Sequence, residues 1–134
     1  MDVRPIDPHS RTSPSQQLVD QVLDALSRGE LGADDRLPSV RSLAASALVN
    51  PNTVAKAYRQ LEILGATCGR NGSGVYVTAG GVEIARRFRR TDTLLAFREA
   101  VLQALSAGHE GPSLEQLLRQ LSAHSHRRGT KVRS

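Results

Sequence analysis

Five polar residues recur along one predicted helix at spacings that place them on a single face. They are Asn52, Thr53, Lys56, Arg59 and Gln60. Amide and hydroxyl groups near a helix N-terminus can hydrogen-bond to base edges in the major groove of DNA, while Lys and Arg bind phosphates. The pattern therefore predicts a DNA-reading surface. The helix alone leaves an alternative open, which is an ordinary amphipathic helix whose polar face is covered by water.

The helix that must position these side chains has clear start and stop signals. Asn50 is a favourable N-cap, Pro51 suits the first helical position, and Gly65 is a favourable stop. Its other face carries an apolar stripe with helical period, formed by Val54, Ala57, Tyr58, Leu61 and Leu64. A shorter helix is predicted just before it, from about Val40 to Ala47, with Ser39 as its N-cap. Two helices joined by so tight a turn indicate a helix-turn-helix.

The flanking segments complete a winged helix. A capping-box pattern at Ser13 and Gln16, with Pro14 at the first helical position, predicts a helix to about Arg28. The segment before it is predicted as an extended arm or a short edge strand around Val3 and Ile6.

A hairpin, the wing, follows the helix-turn-helix. Strands are expected at Ala66–Arg70 and Val75–Thr78, around the turn signal Asn71-Gly72-Ser73-Gly74. We expect its tip, with Arg70, Asn71, Gly72 and Ser73, to contact a DNA backbone or minor groove. The alternative is a purely structural hairpin.

Three stretches of the chain resemble the GntR-type bacterial transcription regulators. They are GELGADDRLPSVRSLA (Gly29 to Ala44), VNPNTVAKAYRQLEILG (Val49 to Gly65) and GRNGSGVYV (Gly69 to Val77). The short helical C-terminal part is similar to the YtrA subfamily. The resemblance implies a winged helix-turn-helix in which Arg41 contacts DNA, and Ser39 and Asn50 complete the predicted DNA-binding set.

The chain departs from the family pattern at two turns. Family members often have Pro-Gly where this chain has Ala33 and Asp34, and Gly where it has Leu48. Asp tolerates the left-handed backbone conformation better than Leu does. Asp34 and Asp35 are interpreted as turn-forming residues and not as ligands.

The C-terminal part is predicted to be helical beyond a boundary at Gly80 and Gly81. One helix is expected from about Val82 to Ala107, and a second from an N-cap at Ser113 to about Ala123. The resemblance implies that this helical hairpin is a dimerisation module. The apolar residues assigned to dimerisation are Phe88, Leu94, Leu95, Phe97, Val101, Leu102, Leu105, Leu114, Leu117, Leu118 and Leu121. The basic cluster Arg86–Arg90 is open to two interpretations, phosphate binding or a solvated helix face.

Composition limits the remaining possibilities. The net charge of the 134 residues is +5, but residues 1–79 carry eight Lys or Arg and eight Asp or Glu. DNA binding must therefore depend on where individual side chains point. One cysteine, Cys68, fits a reducing cytoplasm and is interpreted as a half-buried strand residue. No metal site, cofactor or membrane span is predicted.

Together these features predict a mainly α fold with a small β-hairpin, divided into a DNA-binding domain (1–79), a helical dimerisation region (80–123) and a basic flexible tail (124–134). The expected function is a cytoplasmic, nucleoid-associated, homodimeric regulator that binds double-stranded DNA at an inverted-repeat operator. The resemblance implies a repressor, acting on a transporter operon and its own gene. The alternative is a winged-helix module that binds protein. An enzyme is not expected, and a small-molecule effector is left open.

Overall fold

The computed structural model describes the backbone of residues 1–132 and the side chains of residues 1–125. Its five helices are α1 (Pro14–Ser27), α2 (Val40–Ala47), α3 (Pro51–Ile63), α4 (Gly81–Ser106) and α5 (Gly111–Val132). Its two strands, β1 (Thr67–Arg70) and β2 (Gly74–Val77), form an antiparallel hairpin. The predicted fold class, mainly α with a small hairpin, is confirmed.

Three helices and the hairpin enclose one core. Leu18, Leu26, Leu43 and Leu61 are each no more than 1% exposed, and they come from α1, α2 and α3. The apolar stripes read from the sequence are therefore the faces that pack together. Burial of a Leu side chain contributes about 1.5–3 kcal/mol, so the core is the main source of stability in this part of the chain.

The helix starts follow the predicted caps, with one exception in detail. Ser13 Oγ accepts from the backbone N–H of Gln16, and Ser39 Oγ accepts from that of Ser42. The Gln16 side chain does not complete the capping box: its Nε2 donates to Asp20 Oδ1 at 2.9 Å, so the side chain points along the helix and not back to the N–H of Ser13.

The N-terminal segment is an arm and forms no strand. Its Ile6 N–H donates to the carbonyl of Ala47, the last residue of α2, at 3.0 Å. The side-chain amides of Gln17 and Gln21 on α1 hold the arm by bonds to its backbone at Asp7 and Arg4. The arm therefore supports the end of α2 where the helix-turn-helix bends.

The chain divides into two compact units, Met1–Thr91 and Asp92–Ser134. This division lies well beyond the boundary expected at residues 79–80. The first turns of α4 belong to the first unit because Gly81 and Ala85 are buried in it. No helix in the described part of the chain is both long enough and apolar enough to cross a membrane.

The second unit contains the end of α4 and all of α5. The start of α5 differs from the prediction, since the helix begins at Gly111 and Ser113 is not its N-cap. Proline is compatible with the first turn of a helix, so Pro112 does not delay it. Its end also differs, since the helix continues to Val132 where a flexible tail was expected from residue 124. This stretch has no proline to stop a helix. The last two residues of the predicted tail lie outside the described residues.

Candidate nucleic-acid interface

The turn between α2 and α3 is held by caps on both sides. Leu48 follows α2 in the left-handed conformation, with φ 57° and ψ 49°, and the residue is 77% exposed. The N–H of Val49 then donates to the carbonyl of Ala44 at 3.1 Å. Asn50 Oδ1 accepts from the N–H of Asn52 at 2.8 Å and starts α3. The turn predicted at this point is therefore formed, and Leu48 occupies the position that favours glycine.

The outer face of α3 presents most of the predicted DNA-reading side chains. Asn52, Lys56 and Arg59 are exposed, and Thr53 is half-buried. Arg41, the second residue of α2, is exposed as well. Among residues 1–125, no ion pair involves Arg41, Lys56 or Arg59. No described side chain neutralises their charges, which remain able to attract a polyanion.

Three members of the predicted set, Gln60, Ser39 and Asn50, differ from this pattern. Gln60 is only half exposed, and its amide oxygen is buried with no hydrogen-bond partner in the structure. This differs from the expectation that Gln60 points away from the apolar stripe, because helical rotation brings it to the edge of the core. Ser39 and Asn50 use their side-chain oxygens as N-caps. By capping α2 and α3, these two residues fix where the helices that carry the DNA-reading side chains begin.

Tyr58 on α3 forms a hydrogen bond to the segment just before α2. This role in positioning the two helices was not predicted from the sequence. The Tyr58 hydroxyl donates to the carbonyl of Pro38, just before α2, at 2.6 Å. Burial raises the pKa of the Tyr58 hydroxyl above its ordinary value, so the group stays a neutral donor. The sequence assigned Tyr58 only to the apolar stripe. A tyrosine in such a stripe usually finds a partner for its hydroxyl, and that was the available signal.

The wing is a hairpin with an additional backbone segment along its edge. Thr67 pairs with Val77 and Arg70 with Gly74, which leaves Asn71, Gly72 and Ser73 as an exposed loop. Gly72 has φ +71°, a value that L side chains rarely adopt. Arg36 forms an isolated bridge to Tyr76 on the free edge of β2. The predicted hairpin is confirmed; β1 is one residue shorter than expected, and β2 has the expected length but begins and ends one residue earlier.

Arg70 does not extend freely from the wing. Its Nη2 donates to Asp34 Oδ1 at 2.6 Å, and its guanidinium carbon lies 4.1 Å from the centroid of the Tyr76 ring. Asp34, interpreted from the sequence as a turn-former, does have a left-handed φ of 69°. Its ion pair with Arg70 was missed because the two residues are 36 positions apart in the chain.

The basic cluster on α4 contacts α1. Arg86 Nε donates to the carbonyl of Ser27 at 3.4 Å, and Arg89 Nε lies 3.7 Å from Asp24 Oδ1. Arg87 pairs with Glu83 on its own helix at 3.6 Å. Neither interpretation made from the sequence anticipated these contacts between helices. The cluster attaches the first turns of α4 to the core.

The second unit exposes most of the apolar residues assigned to dimerisation. Leu94, the most exposed of them, is 68% accessible, and Leu121 is 61% accessible. A groove of about 190 Å³ between α4 and α5 is lined entirely by Phe97, Ala100, Val101, Leu114, Leu117, Leu118 and Leu121. Phe88 is an exception within the predicted set, since it lies in the first unit.

No three His, Cys, Asp or Glu side chains in the described part of the chain are arranged to hold a metal ion. The arrangement of a helix-turn-helix, a hairpin wing and an unpaired cationic helix face instead defines a winged helix-turn-helix of the nucleic-acid-binding kind. The class follows from the fold and the site together.

Comparison with known proteins identifies the family. A model described as bacterial regulatory proteins, gntR family, matches residues 14–77. The chain is 32% identical over 118 residues to the HTH-type transcriptional repressor YtrA of Bacillus subtilis (strain 168), an alignment covering 88% of this chain and 91% of that protein. This chain belongs to the GntR family, and its likeness to YtrA extends over nearly its whole length. The resemblance stated from the sequence is confirmed.

Two solved structures support the same assignment. A transcriptional regulator from Oenococcus oeni matches with a TM-score of 0.67 and 27% identity, over 86% of this chain and 96% of that one. YtrA from Sulfolobus acidocaldarius, a GntR-family transcription factor, matches with a TM-score of 0.55 and 30% identity, over 72% and 95%. The family and these relatives are regulators of transcription, which confirms that the chain is not an enzyme.

Proposed function

We propose that this protein is a homodimeric transcriptional repressor that binds an inverted-repeat operator. The proposal depends most on three exposed cations, Arg41 on α2 and Lys56 and Arg59 on α3, which form no ion pair among the described side chains. Residues at the start of a recognition helix read base edges, and cations beside them bind phosphates. Repression is proposed because the relative from Bacillus subtilis is described as a repressor.

The proposed assignment of roles follows from exposure. Arg41 and Asn52 are exposed and can form paired hydrogen bonds, as Arg does to guanine and Asn to adenine. Lys56 and Arg59, further along α3, are proposed to bind phosphates. The wing loop Asn71–Ser73 is proposed to lie against the backbone or the minor groove, because its glycine permits a close approach.

The dimer is proposed from the second unit. Apolar residues of α4 and α5 form an exposed surface, and such surfaces on soluble proteins mark interaction sites. A second copy of the chain is the proposed occupant, because two-fold dimers present two recognition helices to an inverted repeat about 34 Å apart. On the family resemblance alone, the proposed targets are a transporter operon and the gene of the protein itself.

Fluorescence anisotropy with labelled DNA tests the proposal. Wild-type protein is titrated into the DNA that flanks its own gene and into a random-sequence duplex, at several salt concentrations. We expect tighter binding to the flanking DNA and a steep loss of affinity with salt on both, since phosphate contacts release counterions. Absence of any salt-dependent binding would overturn DNA binding and favour the protein-interaction module. Sedimentation of the free protein as a monomer at the concentrations used would overturn the dimer.

A further inference from the structure

Arg70 is the one cation of the predicted DNA-binding set that forms an ion pair within the described side chains. It bonds to Asp34 at 2.6 Å and lies over the Tyr76 ring at 4.1 Å. Arg41, Lys56 and Arg59 belong to no ion pair in the same part of the chain. Among the described side chains, the arginine of the wing is therefore paired with a carboxylate, whereas the cations of α2 and α3 are not.

The backbone explains how Asp34 reaches this position. The N–H of Asp34 donates to the carbonyl of Val77 at 2.9 Å, and the N–H of Val77 donates to the carbonyl of Asp35 at 2.9 Å. These bonds attach the segment before α2 to the free edge of β2. The left-handed φ of Asp34, 69°, is one that Asp adopts more readily than most residues. Asp34 is thus held against the wing by local structure as well as by Arg70.

The wing also restricts where the Arg70 side chain can lie. Its partner across the hairpin is Gly74, and the space beside Gly74 is taken by Arg36, whose Nε is 2.8 Å from where a Cβ atom would be. Arg70 instead lies over Tyr76, diagonally across the hairpin. Both members of the pair remain open to solvent, with 47% of the Arg70 side chain and 79% of the Asp34 side chain exposed. An approaching phosphate can therefore reach the same guanidinium.

We propose that Asp34 acts as a latch on Arg70, competing with DNA phosphates for its guanidinium, and so weakens the sequence-independent part of DNA binding. This inference rests on the proposed function. Carboxylate and phosphate bind the same planar N–H donors of a guanidinium, so the bond from Arg70 to Asp34 weakens the binding of a phosphate to Arg70. Phosphate contacts carry no base information, so the latch lowers affinity for every sequence alike. Asp34 is a positioning residue in this account and need not touch DNA.

Replacement Asp34→Asn tests the latch in the full-length protein. Asn keeps the side-chain shape and tolerates the left-handed conformation, while the charge is lost. With a random-sequence duplex as the probe, we expect binding to become about two- to fivefold tighter, the effect of releasing one exposed ion pair. The slope of log affinity against log salt should steepen by about one unit, because Arg70 becomes free to neutralise a phosphate. A thermal melt verifies that the variant is folded.

Two matched variants separate the latch from a general effect of charge. Asp35→Asn removes the neighbouring carboxylate, which accepts from the N–H of Gly32 at 2.8 Å and does not bind Arg70. We expect little change in DNA affinity from it. In an Arg70→Ala background, Asp34→Asn should also have no effect, because the guanidinium it releases is absent.

The outcomes are distinct. No gain from Asp34→Asn, or an equal gain from Asp35→Asn or in the Arg70→Ala background, overturns the latch and leaves the proposed function in place. A wild-type protein that binds no DNA at any salt concentration overturns both. Tighter binding that depends on Arg70 supports the latch.

Discussion

Arg41 is the side chain on which sequence-specific recognition depends most in this account. It is exposed near the start of α2, and it forms no ion pair among the described side chains. We predict that Arg41→Ala weakens binding to the operator by about 1–3 kcal/mol and binding to random DNA by less. Anisotropy titrations on both duplexes at one salt concentration measure the difference.

A control on the same helix shows whether any loss is specific. Ser46 is exposed near the end of α2, on a different side from Arg41. Ser46→Ala should leave both affinities unchanged. Equal losses from Arg41→Ala on operator and random DNA would reduce Arg41 to a phosphate contact, and no loss would remove it from the interface.

Leu48 provides a test of backbone strain. Its left-handed conformation costs an L-residue about 1–2 kcal/mol. Replacement by glycine removes this strain, but only part of the free energy is recovered, because glycine loses more conformational entropy on folding. We predict that Leu48→Gly raises the free energy of unfolding by up to about 1 kcal/mol in urea titrations. Leu48→Ala keeps the Cβ atom and should change little. Equal stabilisation by both variants would trace the effect to the exposed side chain and not to the backbone.

At the level of elements, the features that could be predicted correctly from the sequence are those that depend on residues close together in the chain. Ser13, Ser39 and Asn50 each cap the helix they were expected to start, because a cap depends on residues within one turn. The Asn71–Gly74 turn forms a hairpin for the same reason. The exposed reading face of α3 could also be predicted, since helical period places Asn52, Lys56 and Arg59 opposite the core stripe.

Contacts between distant residues could not be predicted in this way. The bonds from Tyr58 to Pro38 and from Arg70 to Asp34 join residues 20 and 36 positions apart. Neither follows from a period or a cap. The predicted boundary at residues 79–80 was placed on a glycine pair, whereas the compact unit includes the first turns of α4. A glycine pair can mark a close approach between elements as well as a linker.

Gly81 shows this second role of glycine and allows a test. A Cβ atom on Gly81 would lie 2.6 Å from the carbonyl oxygen of Ala66 and 2.8 Å from Val77 Cγ1. We predict that Gly81→Ala lowers the free energy of unfolding by about 1–3 kcal/mol, the usual cost of overpacking. Gly80 is the matched control, because its nearest neighbour would be Ile84 Cδ1 at 3.9 Å. If Gly80→Ala were as destabilising as Gly81→Ala, the close packing of α4 on the wing would not be the cause.

At the scale of the whole molecule, the two units are assigned separate tasks. A fragment of residues 1–91 retains Gly81 and Ala85, which are buried in the first unit. We predict that it folds, sediments as a monomer and binds a half-site weakly. Fusion of this fragment to an unrelated dimeriser should raise affinity for the full operator by about 10²–10⁴, because the second contact becomes intramolecular. A fragment that alone binds the operator as tightly as the full chain would contradict this division.

The same fragment without the start of α4 offers a comparison. Residues 1–79 lack Ala85 and the Arg89–Asp24 contact that attaches α4 to α1. We expect this shorter fragment to melt at a lower temperature than residues 1–91. Equal melting temperatures would place the boundary of the DNA-binding unit where the sequence first suggested it.

The proposed function requires a two-fold dimer that reads DNA with two copies of α3. Selection of DNA from a random-sequence library by the full-length protein tests for this arrangement, because the experiment presupposes no operator. We predict enrichment of an inverted repeat whose half-site centres are separated by about one DNA turn, roughly 34 Å, or a small multiple of it. We also predict that the Arg41→Ala protein enriches the repeat with relaxed preference at one position in each half-site. Enrichment of no motif, or of a single unrepeated one, would rule out a dimer that reads DNA with two copies of α3.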